Sequence, residues 1–345
     1  MSTLTLPRSA RSGDLRAGLP FALAALAVAG MSALLSGWAP LGFSIVTVFL
    51  FAGPHNWLEL RYFMGRMPAR WGRLRGYFLF AFAGILGLAG VYALLWASQY
   101  GAPPPQDQAE YERLSQSIFQ SYAWWNTAFV LWVATLVHLR SRQNPRRDWG
   151  WIWPVGFLLI ALTWLDPFTW SLAMVYAHPL VAFWVLDREL KPSKPAWRPA
   201  YHLVLCAVPL LLAVLWWRLA STPNLAGDGL VDRIARHAGS EILNNVSSHL
   251  LVATHTFLEM LHYGIWVVVI PLVAYRARPW KLDVPLARRS RAWRTGLLAL
   301  LGIGVVIVLL LWGCFLANYP LTRDVYFTVA LLHVLSEVPF LLRSL

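Results

Sequence analysis

Cysteine is nearly missing from this chain: two residues in 345, Cys206 and Cys314, fall in different apolar runs. Neither has metal-finger or redox spacing, and without a thiolate pair copper-thiolate and iron-sulfur chemistry are disfavoured. Both are expected to be core residues. Acidic side chains are also few, 16 against 29 Lys and Arg. No polar interval is long enough for a soluble domain, because the longest, at about 98 to 117 and 220 to 248, are too short to fold alone. The His-x-x-His repeats of the usual membrane desaturases and hydroxylases are absent as well.

Apolar sequence is abundant. Hydrophobic residues make up 58% of the chain, charged residues 13%, and mean hydropathy is +0.53. One soluble core of this length would not use so much apolar surface. A bilayer crossing takes about 20 apolar residues. Ten candidate runs are present, at 19–37, 41–64, 76–97, 118–139, 150–165, 168–187, 201–219, 249–275, 294–317 and 321–342. The expected fold is all-α, a polytopic helical bundle of about ten transmembrane helices. Residues 1–18 form a basic tail, and 19–345 form one transmembrane domain. The second apolar run follows the first at once, so the first helix is expected to be retained rather than cleaved as a signal peptide.

Basic residues point to topology, not to nucleic acid. With the N-terminus placed in the cytoplasm, 24 of the 29 Lys and Arg fall on one side and five (Arg113, Arg218, Arg233, Arg236, Arg323) on the other. Both termini are therefore expected in the cytoplasm, and the expected setting is a bacterial inner membrane. Between 228 and 248, Leu230, Ile234, Ala238, Ile242 and Val246 recur every four residues, which predicts an amphipathic external helix. Most of the twenty tryptophans are expected to anchor helix ends.

Three apolar runs carry the same pair, histidine followed four residues later by glutamate: His55 with Glu59, His255 with Glu259, His333 with Glu337. Random placement of nine histidines and seven glutamates predicts only about 0.2 such pairs on the i,i+4 spacing that shares a helix face. Ionisable groups within a membrane are costly and mark function by default. His178 joins them from another run. Counting along their runs, His55, His178, His262 and His333 fall within about one helical turn of one another in depth at 1.5 Å per residue.

The segment HTFLEMLH adds a Glu-x-x-His step, Glu259 to His262, of the kind that builds dinuclear iron or manganese sites in bundles. The candidate metal ligands are His55, Glu59, His178, His255, Glu259, His262, His333 and Glu337, with Glu259 and Tyr263 as candidate catalytic residues. The donor set suits one or two iron ions; zinc and haem are the alternatives. Asn126 and Tyr176 could also hydrogen-bond the site. His138, His202, His237 and His249 are expected to be solvated, and Asp166 and Asp187 to serve as turn and cap residues.

The motifs resemble those of the Brp/Blh family of membrane carotene dioxygenases. GPHNWLE, with His55 and Glu59, resembles the family's early proline-histidine-glycine motif, with Asn56 in place of glycine and glutamate in place of the following aspartate. HTFLEMLH resembles its paired-histidine segment, LLHVLSE its late histidine and acid, and His178 in YAHPLVAFW an intermediate histidine. The resemblance implies a non-haem iron oxygenase using O2 on a lipophilic, carotenoid-like or isoprenoid substrate. Membrane lipids are its surroundings, no nucleic acid is a partner, and the electron donor is undefined. A zinc-dependent intramembrane hydrolase, a haem-binding redox protein and an ion- or proton-coupled transporter remain open alternatives.

Overall fold

Twelve α-helices carry the chain in a computed structural model that describes residues 12–143, 148–275 and 278–344. In order they are α1 (Ser12–Trp38), α2 (Pro40–Arg66), α3 (Arg75–Gln99), α4 (Gln108–Gln143), α5 (Ile152–Leu165), α6 (Pro167–Ser193), α7 (Arg198–Leu219), α8 (Gly229–His237), α9 (Ser248–Gly264), α10 (Ile270–Ala274), α11 (Arg291–Ala317) and α12 (Tyr319–Ser344). No strand occurs among the described residues. Eight helical segments among them are long and apolar enough to cross a membrane, so the chain is an all-α integral membrane protein.

Two of the ten expected crossings differ. The run at 150–165 forms α5, only 14 residues long, or about 21 Å at 1.5 Å per residue, short of a hydrocarbon core of about 30 Å. The run at 118–139 lies inside the 36-residue α4, whose first turns carry Glu110, Glu112 and Arg113. At the N-terminus, helix starts at Ser12, inside the stretch taken as a tail, and residues 1–11 of that stretch lie outside the described residues.

The helices fall into two compact units, Met1–His55 with Tyr176–Lys281, and Asn56–Val175 with Leu282–Leu345. In the first, α1 packs on α7 and α9. Small residues make this possible: Ala22 meets Ala200 and Val204, while Ala29 and Ala33 meet Val208, Leu215, Ala253 and Phe257. A Cβ added at Gly18 would lie 2.8 Å from that of Ala200. Close backbone approach through small residues is how helices associate where lipid removes the hydrophobic drive.

The amphipathic segment is shorter than its periodicity predicts. Asp228 caps α8 by accepting from the N–H groups of Leu230 and Val231. Helix then ends at His237, because Gly239 takes a φ of 96°. The Ser240 N–H reaches the Ala235 carbonyl and the Gly239 N–H that of Arg236, the Schellman arrangement that terminates a helix. Turns carry the chain from there to Ser248. Ile234, Ala235 and Ala238 seat α8 on Leu251 and Val252 of α9.

In the second unit, Tyr77, Phe78, Ala81, Ile85 and Leu88 of α3 pack with Phe129, Val130, Trp132 and Leu136 of α4 and Leu335 of α12. The Tyr77 hydroxyl donates to the Pro339 carbonyl at 2.6 Å, and the Trp57 indole to that of Leu301 at 2.9 Å. Asn126 donates to the Pro167 carbonyl at 3.0 Å, a bracing contact and not the expected bond to the site. Asp166 is a cap as expected, accepting from Phe168 and Thr169 N–H groups.

Other expectations change. Cys206 and Cys314 are exposed, not core, because each lies on the outward face of its helix. Asp187 is an ion-pair partner and not a simple cap: Arg198 binds both its oxygens at 2.8 Å and His202 one at 2.7 Å. Trp124 and Trp217 are exposed, as anchors would be, whereas Trp266 is fully buried.

Glycines on α3 give a controlled test of this packing. A Cβ at Gly84 would fall 1.9 Å from the Trp132 indole nitrogen, whereas at Gly87 or Gly90 nothing lies within 4 Å. Gly84→Ala is expected to cost about 1–3 kcal/mol through overpacking and to lower the thermal midpoint of the detergent-solubilised protein. Gly87→Ala and Gly90→Ala should leave it unchanged; equal midpoints for all three would refute the α3–α4 contact.

Candidate metal centre

The site is built on α9, the most enclosed of the membrane helices among the described residues. In the most apolar stretch of the crossing that α9 begins, Ser248–Ala274, 56% of the residues are buried, against 11–33% in the other seven. His255, Glu259, His262 and Tyr263 are all buried in it. Directly after Gly264 the helix widens into a π-turn, Ile265–Val269, where the Ile270 N–H reaches back five residues to the Ile265 carbonyl. Pro271 follows, and having no N–H it cannot continue the regular ladder. Such π segments frequently accompany functional sites.

On α2, Pro54 immediately precedes His55, and on α6, Pro179 immediately follows His178. His55 is almost fully buried, and its Nδ1 lies 3.1 Å from the Phe51 carbonyl. That carbonyl can only accept, so Nδ1 carries the proton and the lone pair is on Nε2, the tautomer a metal ligand needs. The His55 ring stands 5.4 Å from that of His262 and 4.3 Å from that of Tyr263. The His178 ring is 4.5 Å from His262. Three of the imidazoles expected in one layer therefore meet.

Four residues form a buried group that could hold a metal ion: His55, Glu59, His262 and His333 each offer a donor atom within 4.8 Å of the others. Three imidazole nitrogens and one carboxylate oxygen are borderline donors of the kind that bind iron, manganese or zinc. The carboxyl of Glu337 lies beside that of Glu59, and the two interact directly. Two enclosed carboxyl groups in contact repel when both are ionised, and a divalent cation offsets that repulsion. The residues thus fit a metal by donor type, tautomer and charge.

The remaining candidates are arranged differently. The Tyr263 hydroxyl donates to Glu259 Oε1 at 2.8 Å, while the other oxygen of Glu259 faces His255 Nδ1 at 3.9 Å. His255 meets the His237 ring at 5.0 Å and the Tyr176 ring at 5.8 Å. Tyr176 uses its hydroxyl on the backbone, donating to the Ala238 carbonyl at 2.9 Å, so the expected bond to the site is not made. His255 therefore shares the α9 face with Glu259 and looks toward His237 of α8.

His237 corrects the expectation of a solvated side chain: it is partly buried, because α8 docks on α9. Nothing in its local sequence signals this contact. Arg61 and Arg323 were assigned to opposite aqueous sides, yet both are 3% exposed, and the Arg323 guanidinium stands 4.6 Å over the Phe327 ring. The sequence signal for Arg61 is its place two residues after Glu59. His249 hydrogen-bonds the Gly37 carbonyl at 3.2 Å and His138 receives the Trp153 indole N–H at 3.5 Å, apart from the metal-ligand group.

Comparison of the chain with protein-family models, curated proteins and solved structures found no match.

Removing one of the four donors is expected to abolish metal retention. His262→Ala and His333→Ala should each reduce metal binding at this group at least tenfold, in line with the cost of disturbing even an outer ligand contact. His249→Ala serves as the control and should retain it. Equal metal content by elemental mass spectrometry in all three variants would contradict the ligand assignment.

Proposed function

We propose that this protein is a membrane-embedded oxygenase that uses non-haem iron on a lipid-soluble, isoprenoid or carotenoid-like substrate. The observation that carries this reading is the buried group of three histidines and one glutamate in a chain otherwise made of membrane-crossing helices. When bound, iron supplies the redox chemistry that activates O2. His55, Glu59, His262 and His333 would hold it.

The chain's own residues supply the rest. Phe257 and Leu261 of α9 pack on apolar residues of α1 and α7 and, with the buried Trp266, keep water from the site. Tyr263, with its hydroxyl on Glu259 and its ring beside His55, holds a proton within reach of the centre. The likeness of GPHNWLE, HTFLEMLH and LLHVLSE to Brp/Blh motifs supports iron and an isoprenoid substrate in this reading. The skew of basic residues supports an orientation with both termini in the cytoplasm of a bacterial inner membrane.

Elemental analysis and oxygen uptake test the proposal together. Purified protein is expected to contain iron and to consume O2 when given a carotenoid or polyisoprenoid in detergent. Tyr263→Phe should keep the metal but slow turnover by about 10²-fold, the lower range for losing a proton-transfer group. Zinc in place of iron, with no oxygen uptake, would overturn the oxygenase in favour of a zinc-dependent hydrolase.

A further inference from the structure

The junction of α6 and α7 carries charged residues that the metal centre does not use. Asp187 and Lys191 lie four apart on α6, and Arg198 and His202 four apart on α7, so each pair shares one face of its helix. Lys194 and a 3-10 turn, Pro195–Trp197, join the two helices. Across that turn Asp187 accepts from Arg198 Nε and Nη2 at 2.8 Å each and from His202 Nε2 at 2.7 Å. All four residues belong to one compact unit.

A groove of about 350 Å³ opens at this junction, lined by Lys191, Pro195, Arg198, Pro199 and His202. That volume falls within the range of about 300–1,000 Å³ typical of small-molecule sites. Its polar lining is two cations and an imidazole. The geometry points to a binding site for a phosphate group, carried either by a lipid headgroup or by a soluble compound. This goes beyond the oxygenase reading and does not rest on the metal centre.

The donors are already oriented. A guanidinium has five N–H donors in a planar fork. Asp187 takes Nε and Nη2 of Arg198 along one edge, which leaves the Nη1 end for a second oxoanion. Arginine–phosphate pairs use such two-pronged contacts, and an arginine locked along one edge loses little freedom on binding. With His202 Nε2 on Asp187, its Nδ1 is left to donate when the ring is protonated or to accept from a P–OH when it is neutral. Lys191 is exposed and pairs with no carboxylate among the described residues, so its charge is not offset there. The neighbouring cations are engaged elsewhere: Arg188 stands 4.9 Å over the Trp184 ring and Lys194 5.3 Å over the Trp197 ring. The groove lies where the crossing Pro167–Ser193 ends and the crossing Pro195–Leu219 begins, the level at which lipid phosphates lie.

The test uses the full-length protein purified in detergent. In one arm it is titrated with inorganic phosphate by calorimetry; in the other it is held in mixed micelles with phosphatidic acid or phosphatidylcholine, and retained lipid is counted by native mass spectrometry. Preferential retention of phosphatidic acid assigns the site to a lipid headgroup, and saturable binding of inorganic phosphate without it to a soluble compound; either result supports the site. In the arm that binds, Lys191→Gln, at an exposed position, and Arg198→Lys, which keeps the charge but loses the fork, should each weaken binding about tenfold, as loss of one hydrogen bond to a charged group does. Lys194→Gln, whose partner is the Trp197 ring, should bind as the wild type does. No binding in either arm, binding unchanged in Lys191→Gln and Arg198→Lys, or an equal loss in Lys194→Gln would overturn the site, and the metal measurements on the same protein would stand apart from all three.

Discussion

Hydrocarbon accepts an imidazole or a carboxylate only where protein encloses it and supplies a partner. That constraint governs α9. A helix carrying His255, Glu259 and His262 cannot face lipid, and it is the helix with the largest buried share among the described crossings. Its enclosure comes from the apolar and small residues of its neighbours, not from polar bonding. Phe257 and Ala253 are wholly buried against α1 and α7, whose own outer faces carry exposed leucines such as Leu23 and Leu210. The helices nearest the site thus pay out their apolar surface in two directions, inward to close the site and outward to meet lipid.

Enclosure alone would leave the polar groups loosely held, so the local backbone matters. Pro54, Pro179 and Pro271 each interrupt the hydrogen-bond ladder of a helix within or near the polar layer. A proline frees the carbonyl four residues earlier and lets its helix bend. In α2 the carbonyl freed in this way is that of Leu50, and one residue later the Phe51 carbonyl accepts from the His55 imidazole. The π-turn after Gly264 follows the same logic: the ladder shifts to a five-residue step just before Pro271, immediately after the last ligand position of α9.

Much of this was legible in the chain. The all-α membrane fold follows from apolar content, and the convergence of His55, His178 and His262 from their similar depths. What the i,i+4 pattern could not reveal is how each pair divides. His255 and Glu259 share a face, yet that face is broad enough for His262 to meet His55 while His255 meets His237. The periodicity of 228–248 indicated helix beyond its true end, because alternation of apolar residues persists through turns once Gly239 has left the helix. Hydropathy likewise could not tell that Arg61 and Arg323 are buried, since a window scores a guanidinium as polar wherever its partners lie.

The division of labour along α9 then has a physical basis. His255 and His262 are only about 20° apart around the axis at 3.6 residues per turn, but seven residues put about 10.5 Å of rise between them, so the two imidazoles reach different points along the helix. Glu259 sits between the other two and has two oxygens. One is held by Tyr263, whose ring lies on His55, and the other is turned toward His255, whose ring lies on His237. A single carboxylate is therefore in touch with both ends of the polar layer, and any change in its charge or position reaches both. That makes Glu259 the residue through which the buried histidines of α2 and α6 and the histidine of α8 are physically coupled.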